Sequence, residues 1–196
     1  MVGDSGSPLA FWQQNRALSG PVFLADEIGY LANATFLSGH LMDGAWLGPG
    51  IFTYVADCDF DGDGKTDPAK FYPATGTVWW VKSTTHTIDG MWLGPDTFTY
   101  VPASDFDGDG RTDPAKFYPA TGTVWWVKSS TGILDGAWLG PGTFTYVAGC
   151  DFDGDGKTDP AKYVASTHIL SWLNSSTGLW SSVNLGTGTY TLALGQ

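Results

Sequence analysis

Ala115-Lys116-Phe117-Tyr118-Pro119-Ala120-Thr121-Gly122-Thr123-Val124-Trp125-Trp126-Val127-Lys128 repeats, residue for residue, the stretch from Ala69 to Lys82, and an eroded third copy runs from Ala161 to Asn174. Its two ends are rich in aromatic and β-branched residues and read as strands, while Pro119-Ala120-Thr121-Gly122 supplies the backbone angles of a reversal. On the N-terminal side Phe98-Thr99-Tyr100-Val101 alternates as another strand. On the C-terminal side the short Ala137-Trp138-Leu139 reads as a fourth, before Gly140-Pro141-Gly142. Four strands in about 46 residues is the size of a propeller blade.

The period is held elsewhere. Asp59, Asp105 and Asp151 open the same acidic loop, 46 residues apart each time. The stretch Asp43 to Val55 recurs at Asp89 to Val101 and Asp135 to Val147, and faintly at Leu185 to Ala193. Four units therefore follow an N-terminal segment 1–12: an atypical first repeat 13–58, then 59–104, 105–150 and 151–196. The first keeps only its second half, since Gln13-Gln14-Asn15-Arg16 stands where the loop would be. One such unit cannot bury its own faces, so stability requires stacking. The expected fold is all-β: repeated four-stranded antiparallel blades, propeller-like, forming one domain over 13–196 as a ring or an open row.

Composition agrees. Gly (27) and Pro (11) are plentiful and charged residues sparse at 15%, which suits short strands and tight turns. The net charge of −11 is local: twelve of the 20 acids lie in the three loops, and three divalent ions would bring the balance to −5. Nothing resembles a basic nucleic-acid footprint. No apolar run is long enough to span a bilayer, and Met1-Val2-Gly3-Asp4-Ser5 has neither a basic start nor an apolar signal core. Because the loops suggest a calcium-rich compartment, this start is read as mature, truncated or tagged, and an extracellular or cell-surface setting is expected.

The loop reads Asp59-Phe60-Asp61-Gly62-Asp63-Gly64-Lys65-Thr66-Asp67. Calcium takes six to eight oxygens, and side chains at loop positions 1, 3, 5 and 9 with the carbonyl of position 7 can wrap one ion. An EF-hand would need a bidentate Glu at position 12, where Lys70, Lys116 and Lys162 stand instead. The pattern Asp-x-Asp-Gly-Asp-Gly-x-x-Asp followed by Pro-Ala, between strands, resembles the FG-GAP (VCBS-type) repeat. That repeat forms the calcium-bearing blades of integrin α-chain propellers and of many secreted bacterial proteins. The resemblance implies a propeller-like blade with calcium in its first hairpin, three ions in all, in a cell-surface or secreted protein. It implies ligands at Asp59, Asp61, Asp63 and Asp67; at Asp105, Asp107, Asp109 and Asp113; and at Asp151, Asp153, Asp155 and Asp159. Carbonyls of Lys65, Arg111 and Lys157 complete the sets. The units are shorter and fewer than that family's seven blades.

Neighbours on a strand point to opposite faces, and Trp80 and Trp126 persist as Trp172 while Trp79 and Trp125 give way to Ser171. Trp80, Trp126 and Trp172 are therefore expected in the core, and Trp79 and Trp125 against a neighbouring blade, a partner, a glycan or solvent. Trp46, Trp92 and Trp138, in a repeated Trp-Leu-Gly-Pro, are expected to anchor a turn, with sugar stacking as their other use. Cys58 and Cys150 share one repeat position; a disulfide is conceivable in a closed ring, and free thiols are the other reading. Asn33 and Asn174 open glycosylation triplets. Gly3-Asp4-Ser5-Gly6-Ser7-Pro8 looks like the nucleophile segment of trypsin-like proteases but has no histidine and aspartate partners upstream.

These features point to a non-catalytic extracellular calcium-binding structural or interaction protein. Its expected partners are itself, in a self-assembled surface fibre or adhesive layer, or another surface protein or a glycan. The alternatives are a calcium-stabilised lectin and an accessory domain or remnant of a secreted hydrolase.

Overall fold

The computed structural model describes residues 29–35 and 41–187, and for β1 and β2 it describes the backbone. Contacts divide the chain into two compact units, 1–51 and 52–196. In the first unit, β1 (Gly29–Thr35) pairs antiparallel with β2 (Leu41–Trp46). These are the third- and fourth-strand positions of the first repeat, the half that keeps its sequence. Their register is shifted and bulged between Leu31 and Ala34, so this hairpin does not copy its counterparts.

Among its described residues the second unit holds three antiparallel sheets of four strands, each an up-and-down meander in chain order. Blade A contains β3 (Thr53–Val55), β4 (Ala69–Tyr72), β5 (Thr77–Val81) and β6 (Ile88–Trp92). Blade B contains β7 (Thr99–Val101), β8 (Ala115–Tyr118), β9 (Thr123–Val127) and β10 (Leu134–Trp138). Blade C contains β11 (Thr145–Val147), β12 (Ala161–Val164), β13 (Ile169–Leu173) and β14 (Trp180–Asn184). Among the described residues the three sheets do not close into a ring. Each starts just ahead of its acidic loop, so the repeats 59–104, 105–150 and 151–196 cut between the first and second strands of a blade.

The fourth strand also begins earlier than its Ala137-Trp138-Leu139 reading. Leu134 to Trp138 pair with Val127 to Thr123, and the Lys128–Asp135 ion pair at 2.7 Å ties this hairpin. Leu139 lies past the strand, where its N–H donates to the Gly122 carbonyl at 2.7 Å. In blade C the equivalent pair is Asn174 with Ser181, joined at 2.9 Å, so the cross-strand tie survives a change of chemistry.

The reversal at Pro73-Ala74-Thr75-Gly76 is closed by the Gly76 N–H on the Tyr72 carbonyl at 2.8 Å, and Gly122 repeats it on Tyr118 at 2.9 Å. Both glycines take positive φ, +65° and +67°. A Cβ on Gly76 would lie 1.7 Å from the Gly94 carbonyl oxygen, so the site excludes side chains by space as well as by backbone angle. His168 fills this position in blade C at φ 57°, and His86 fills the turn that Gly132 and Gly178 make in the other blades.

The main buried cluster of each blade lies on one face of its sheet and extends into the next blade. Val55, Ala69, Phe71, Val78 and Trp80 form the buried cluster of blade A, and Phe98 and Tyr100 pack on it from blade B. Phe71 stacks on Tyr100 at 5.3 Å, and Phe117 on Tyr146 at 5.0 Å one blade later. Burying a large apolar side chain is worth about 1.5–3 kcal/mol, so much of each blade's stability is supplied by its neighbour. Polar bonds repeat across the same junctions. Thr112 N–H donates to the Asp59 carbonyl at 2.5 Å and its hydroxyl accepts from the Asp59 N–H at 2.9 Å. Thr158 does the same with Asp105, at 2.6 and 2.9 Å. Lys116 and Lys162 donate to the carbonyls of Leu93 and Leu139 in the preceding blade.

Candidate metal centres

Each acidic loop joins the first and second strands of a blade, and one carboxylate organises its backbone. Asp59 accepts from the N–H groups of Gly62 at 2.6 Å and Gly64 at 2.7 Å, folding the loop around itself. Asp105 and Asp151 repeat both bonds. The last acid is wholly buried at Asp67, Asp113 and Asp159. Asp67 accepts from Phe60 N–H at 2.8 Å and Ser83 N–H at 2.7 Å, which pins loop to hairpin.

Three of the four acids per loop converge. Asp59, Asp61 and Asp67 offer oxygens all within 4.8 Å of one another, as do Asp105, Asp107 and Asp113, and Asp151, Asp153 and Asp159. The structure does not bring Asp63, Asp109 and Asp155 into these triads. Asp63 takes the N–H of Lys65 at 2.9 Å and its ammonium at 3.1 Å, while Asp109 and Asp155 accept from Arg111 and Lys157 N–H. Lys65, Arg111 and Lys157 thus stand in the loop at the position expected to offer a carbonyl.

A second layer of residues escaped the sequence reading. Thr84 donates its hydroxyl to Asp61 at 2.6 Å, Ser130 to Asp107 at 2.6 Å and Ser176 to Asp153 at 2.6 Å. Ser129 and Ser175 hydroxyls reach Asp109 and Asp155 at 2.8 and 2.9 Å. The available signal was the hydroxyl pair directly after Lys82, Lys128 and Asn174, in register in all three blades.

Charge confinement shows in the acids. Burial pushes the Asp113 carboxyl up to about 6, against backbone N–H bonds from Ser129 and Phe106 that pull it down. Asp67 and Asp105 are raised by burial too, whereas the Ser176 hydroxyl holds Asp153 low. The donor set is all oxygen, and the buried Oδ1 of Asp61 has no hydrogen-bond partner among the described residues. A hard divalent cation fits such a set, because it neutralises converging carboxylates that otherwise repel in a shielded site.

A pH dependence follows. The folded pKa of Asp113 lies above the ordinary carboxylate value, so its contribution is full below about pH 4 and is lost as pH rises through about 6. In calcium-free buffer the melting temperature should therefore rise on acidification from about pH 7 to about pH 5. Calcium affinity should fall over the same window, because the ligand must shed its proton. Thermal melts and calcium titrations at matched pH check both trends.

The remaining sequence candidates fall as follows. Trp80 and Trp126 are buried and stack on Phe60 and Phe106 at 4.2 Å, directly beneath the loops. Trp172 stacks on Phe152 at 4.7 Å. Trp79 and Trp125 face the other way, each ring lying over the cross-strand glycine Gly90 or Gly136. Trp92 and Trp138 anchor the turn through indole N–H bonds to the carbonyls of Thr75 at 3.0 Å and Thr121 at 3.1 Å, yet their rings are 66% and 64% exposed.

Cys58 and Cys150 are free thiols, so the conceivable disulfide is not formed. Each donates to the carbonyl two residues earlier, Ala56 or Ala148, as Ser104 does to Pro102. Burial pushes the Cys58 thiol up to about 11, which makes it a poor nucleophile. The Asn174 amide donates to Leu179 and Ser181 and accepts from Trp172, so the fold uses it as a bracket. Asn33 lies on β1, for which only the backbone is described, and segment 1–12 with its Ser5 lies outside the described residues. No helix among the described residues is long and apolar enough to cross a membrane. Compared with known proteins, the chain matches no family model and no curated protein.

Proposed function

We propose that the chain is a non-catalytic, calcium-binding structural or interaction protein of the extracellular space or cell surface, in which one ion per acidic loop holds a blade in shape. The observation that carries this reading is the convergence of three carboxylates within 4.8 Å, one of them wholly buried, in three loops in register. Asp59, Asp61 and Asp67 and their counterparts would hold the ion. Asp63, Asp109 and Asp155, with the carbonyls of Lys65, Arg111 and Lys157, would complete the six to eight oxygens calcium takes. The loop pattern and its place in the first hairpin support kinship with FG-GAP-type repeats.

Support for a non-catalytic role comes from the residues that chemistry would need. His86 and His168 sit in left-handed turns, burial holds the Cys58 thiol protonated, and twelve of the 20 acids lie in the three loops. The test is substitution of the buried acid. Asp113→Asn and Asp159→Asn should each lose one bound ion by equilibrium dialysis and keep the others; full retention by both would contradict the reading.

The exposed rings of Trp92 and Trp138 favour a second reading, a carbohydrate-binding module, since aromatic faces stack on sugar rings. Calcium-loaded protein should then bind on a glycan array, and Trp92→Ala with Trp138→Ala should abolish that binding. A blank array would dismiss it.

A further inference from the structure

We infer that the three metal centres are coupled through Thr112 and Thr158, positioning residues by which an ion in one loop raises the affinity of the next loop. This rests on the metal reading above and states how those sites are regulated. The carrier is one run of hydrogen bonds through both blade junctions. In the first loop the Asp67 N–H donates to the Cys58 carbonyl at 2.6 Å. The next residue, Asp59, exchanges two bonds with Thr112: its carbonyl accepts from the Thr112 N–H at 2.5 Å, and its N–H donates to the Thr112 hydroxyl at 2.9 Å. Asp113, which follows Thr112, donates to the Ser104 carbonyl at 2.7 Å. Asp105, which follows Ser104, exchanges the same two bonds with Thr158. The run ends where the Asp159 N–H donates to the Cys150 carbonyl at 2.7 Å, one residue from Asp151. The first and last acids of all three triads therefore lie in this run or next to it.

Position gives each threonine its leverage. Thr112 stands between Arg111, whose carbonyl the proposed second ion would take, and Asp113, the wholly buried acid of that triad. Its partner across the junction is Asp59, the acid around which the first loop folds. Thr158 stands in the same way between Lys157 and Asp159 and is clamped to Asp105. Both threonines are buried, so water does not compete for the clamp, and two bonds fix the orientation of the partner peptide as well as its distance. A basic side chain reinforces each clamp, Arg111 lying over Gly62 and Lys157 over Gly108.

An ion that orders the first loop fixes the Asp59 peptide, and with it the residues on either side of Thr112. The second ion then meets ligands already held and loses less conformational entropy on binding. By reciprocity the second ion favours the first by the same factor. The middle loop is clamped to both neighbours, so its occupancy has the widest effect. Charge acts in the opposite direction, since each bound cation weakens the negative field that draws in the next. The sign of the coupling thus separates the two causes.

The experiment is native mass spectrometry of the full chain across a calcium titration. In the wild type the three-ion species should grow at the expense of the calcium-free one, with one-ion and two-ion species minor at half saturation. Thr112→Val keeps the shape and removes the hydroxyl, and should bring up the partly loaded species. Thr112→Ser keeps the hydroxyl and should retain the wild-type pattern. Asp113→Asn tests the same coupling with both threonines in place, by emptying the middle loop. The calcium concentration that half-fills the two remaining loops should rise at least fivefold, the lower end of ordinary coupling between sites. Charge alone predicts the reverse, because the emptied loop keeps three acids, one negative charge more than four acids with a divalent ion.

A wild type whose partly loaded species dominate at half saturation overturns the inference. Unchanged or tighter binding in Asp113→Asn does so too, as does a Thr112→Val protein that loads like the wild type. One ion per intact loop in any of these cases leaves the metal reading standing. A wild-type chain that binds no calcium overturns both.

Discussion

If the loops hold calcium as proposed, removing divalent ions with a chelator at neutral pH should lower the melting temperature of this protein by more than about 15 °C. A site at a hundredfold excess of ligand over its dissociation constant contributes about 2.7 kcal/mol, and three such loops together about 8. For a chain of this size each kcal/mol shifts the midpoint by about 2–4 °C. Cost in the apo state is concentrated at Asp67, Asp113 and Asp159, which are wholly buried beside the other acids of their triads. Loosening the loops also releases Phe60, Phe106 and Phe152 from the tryptophans they stack on. Tryptophan fluorescence should therefore change together with the loss of stability. Calorimetry with and without chelator, followed by re-addition of calcium, is the check; a shift of only a few degrees would mean the loops stand without an ion.

Gly76→Ala and Gly122→Ala each destabilise the protein by about 3 kcal/mol or more, while Gly132→Ala costs about 1–2 kcal/mol. All three glycines have positive φ, so all three substitutions carry the left-handed penalty. They differ in space. The added Cβ would meet the Gly94 carbonyl oxygen at 1.7 Å or the Gly140 carbonyl oxygen at 2.2 Å, whereas nothing lies within 4 Å at Gly132. Those carbonyls belong to backbone that also receives the Lys116 and Lys162 ammonium groups from the next blade, so retreat from the new methyl disturbs a junction as well as a turn. His86 already fills the counterpart of Gly132, evidence that the open site tolerates a side chain. Denaturant melts of the three variants decide it, and equal losses would refute the steric part.

Much of this architecture was readable from identity at a fixed spacing. Matching Ala69–Lys82 to Ala115–Lys128 placed two strands and their turn, and the fate of Trp79 and Trp80 in the last repeat separated outward from inward rings. The loops announced their chemistry because oxygen ligands for a hard ion must be many and close, which leaves a dense acidic pattern.

What stayed hidden depends on contacts between distant residues. Thr84, Ser130 and Ser176 hold their acids from 23 residues away, and a hydroxyl pair after a strand looks like any solvated turn. Thr112 and Thr158 carry no local signal of their bonds to the preceding blade, which join residues 53 positions apart. The start of the fourth strand was missed because Leu134-Asp135-Gly136 has no strand signature of its own and is recruited by pairing with β9 and by the Lys128–Asp135 bridge. The split at residue 51 was equally invisible, since the period runs through it.

Native mass spectrometry of chelated protein returned to millimolar calcium tests the central claim most directly. Three ions per chain, falling to two in Asp113→Asn, is the result expected from three triads of converging carboxylates. A wild-type chain that binds no calcium, or binds it in a broad unsaturated series untouched by that substitution, would contradict the claim that these loops are metal centres.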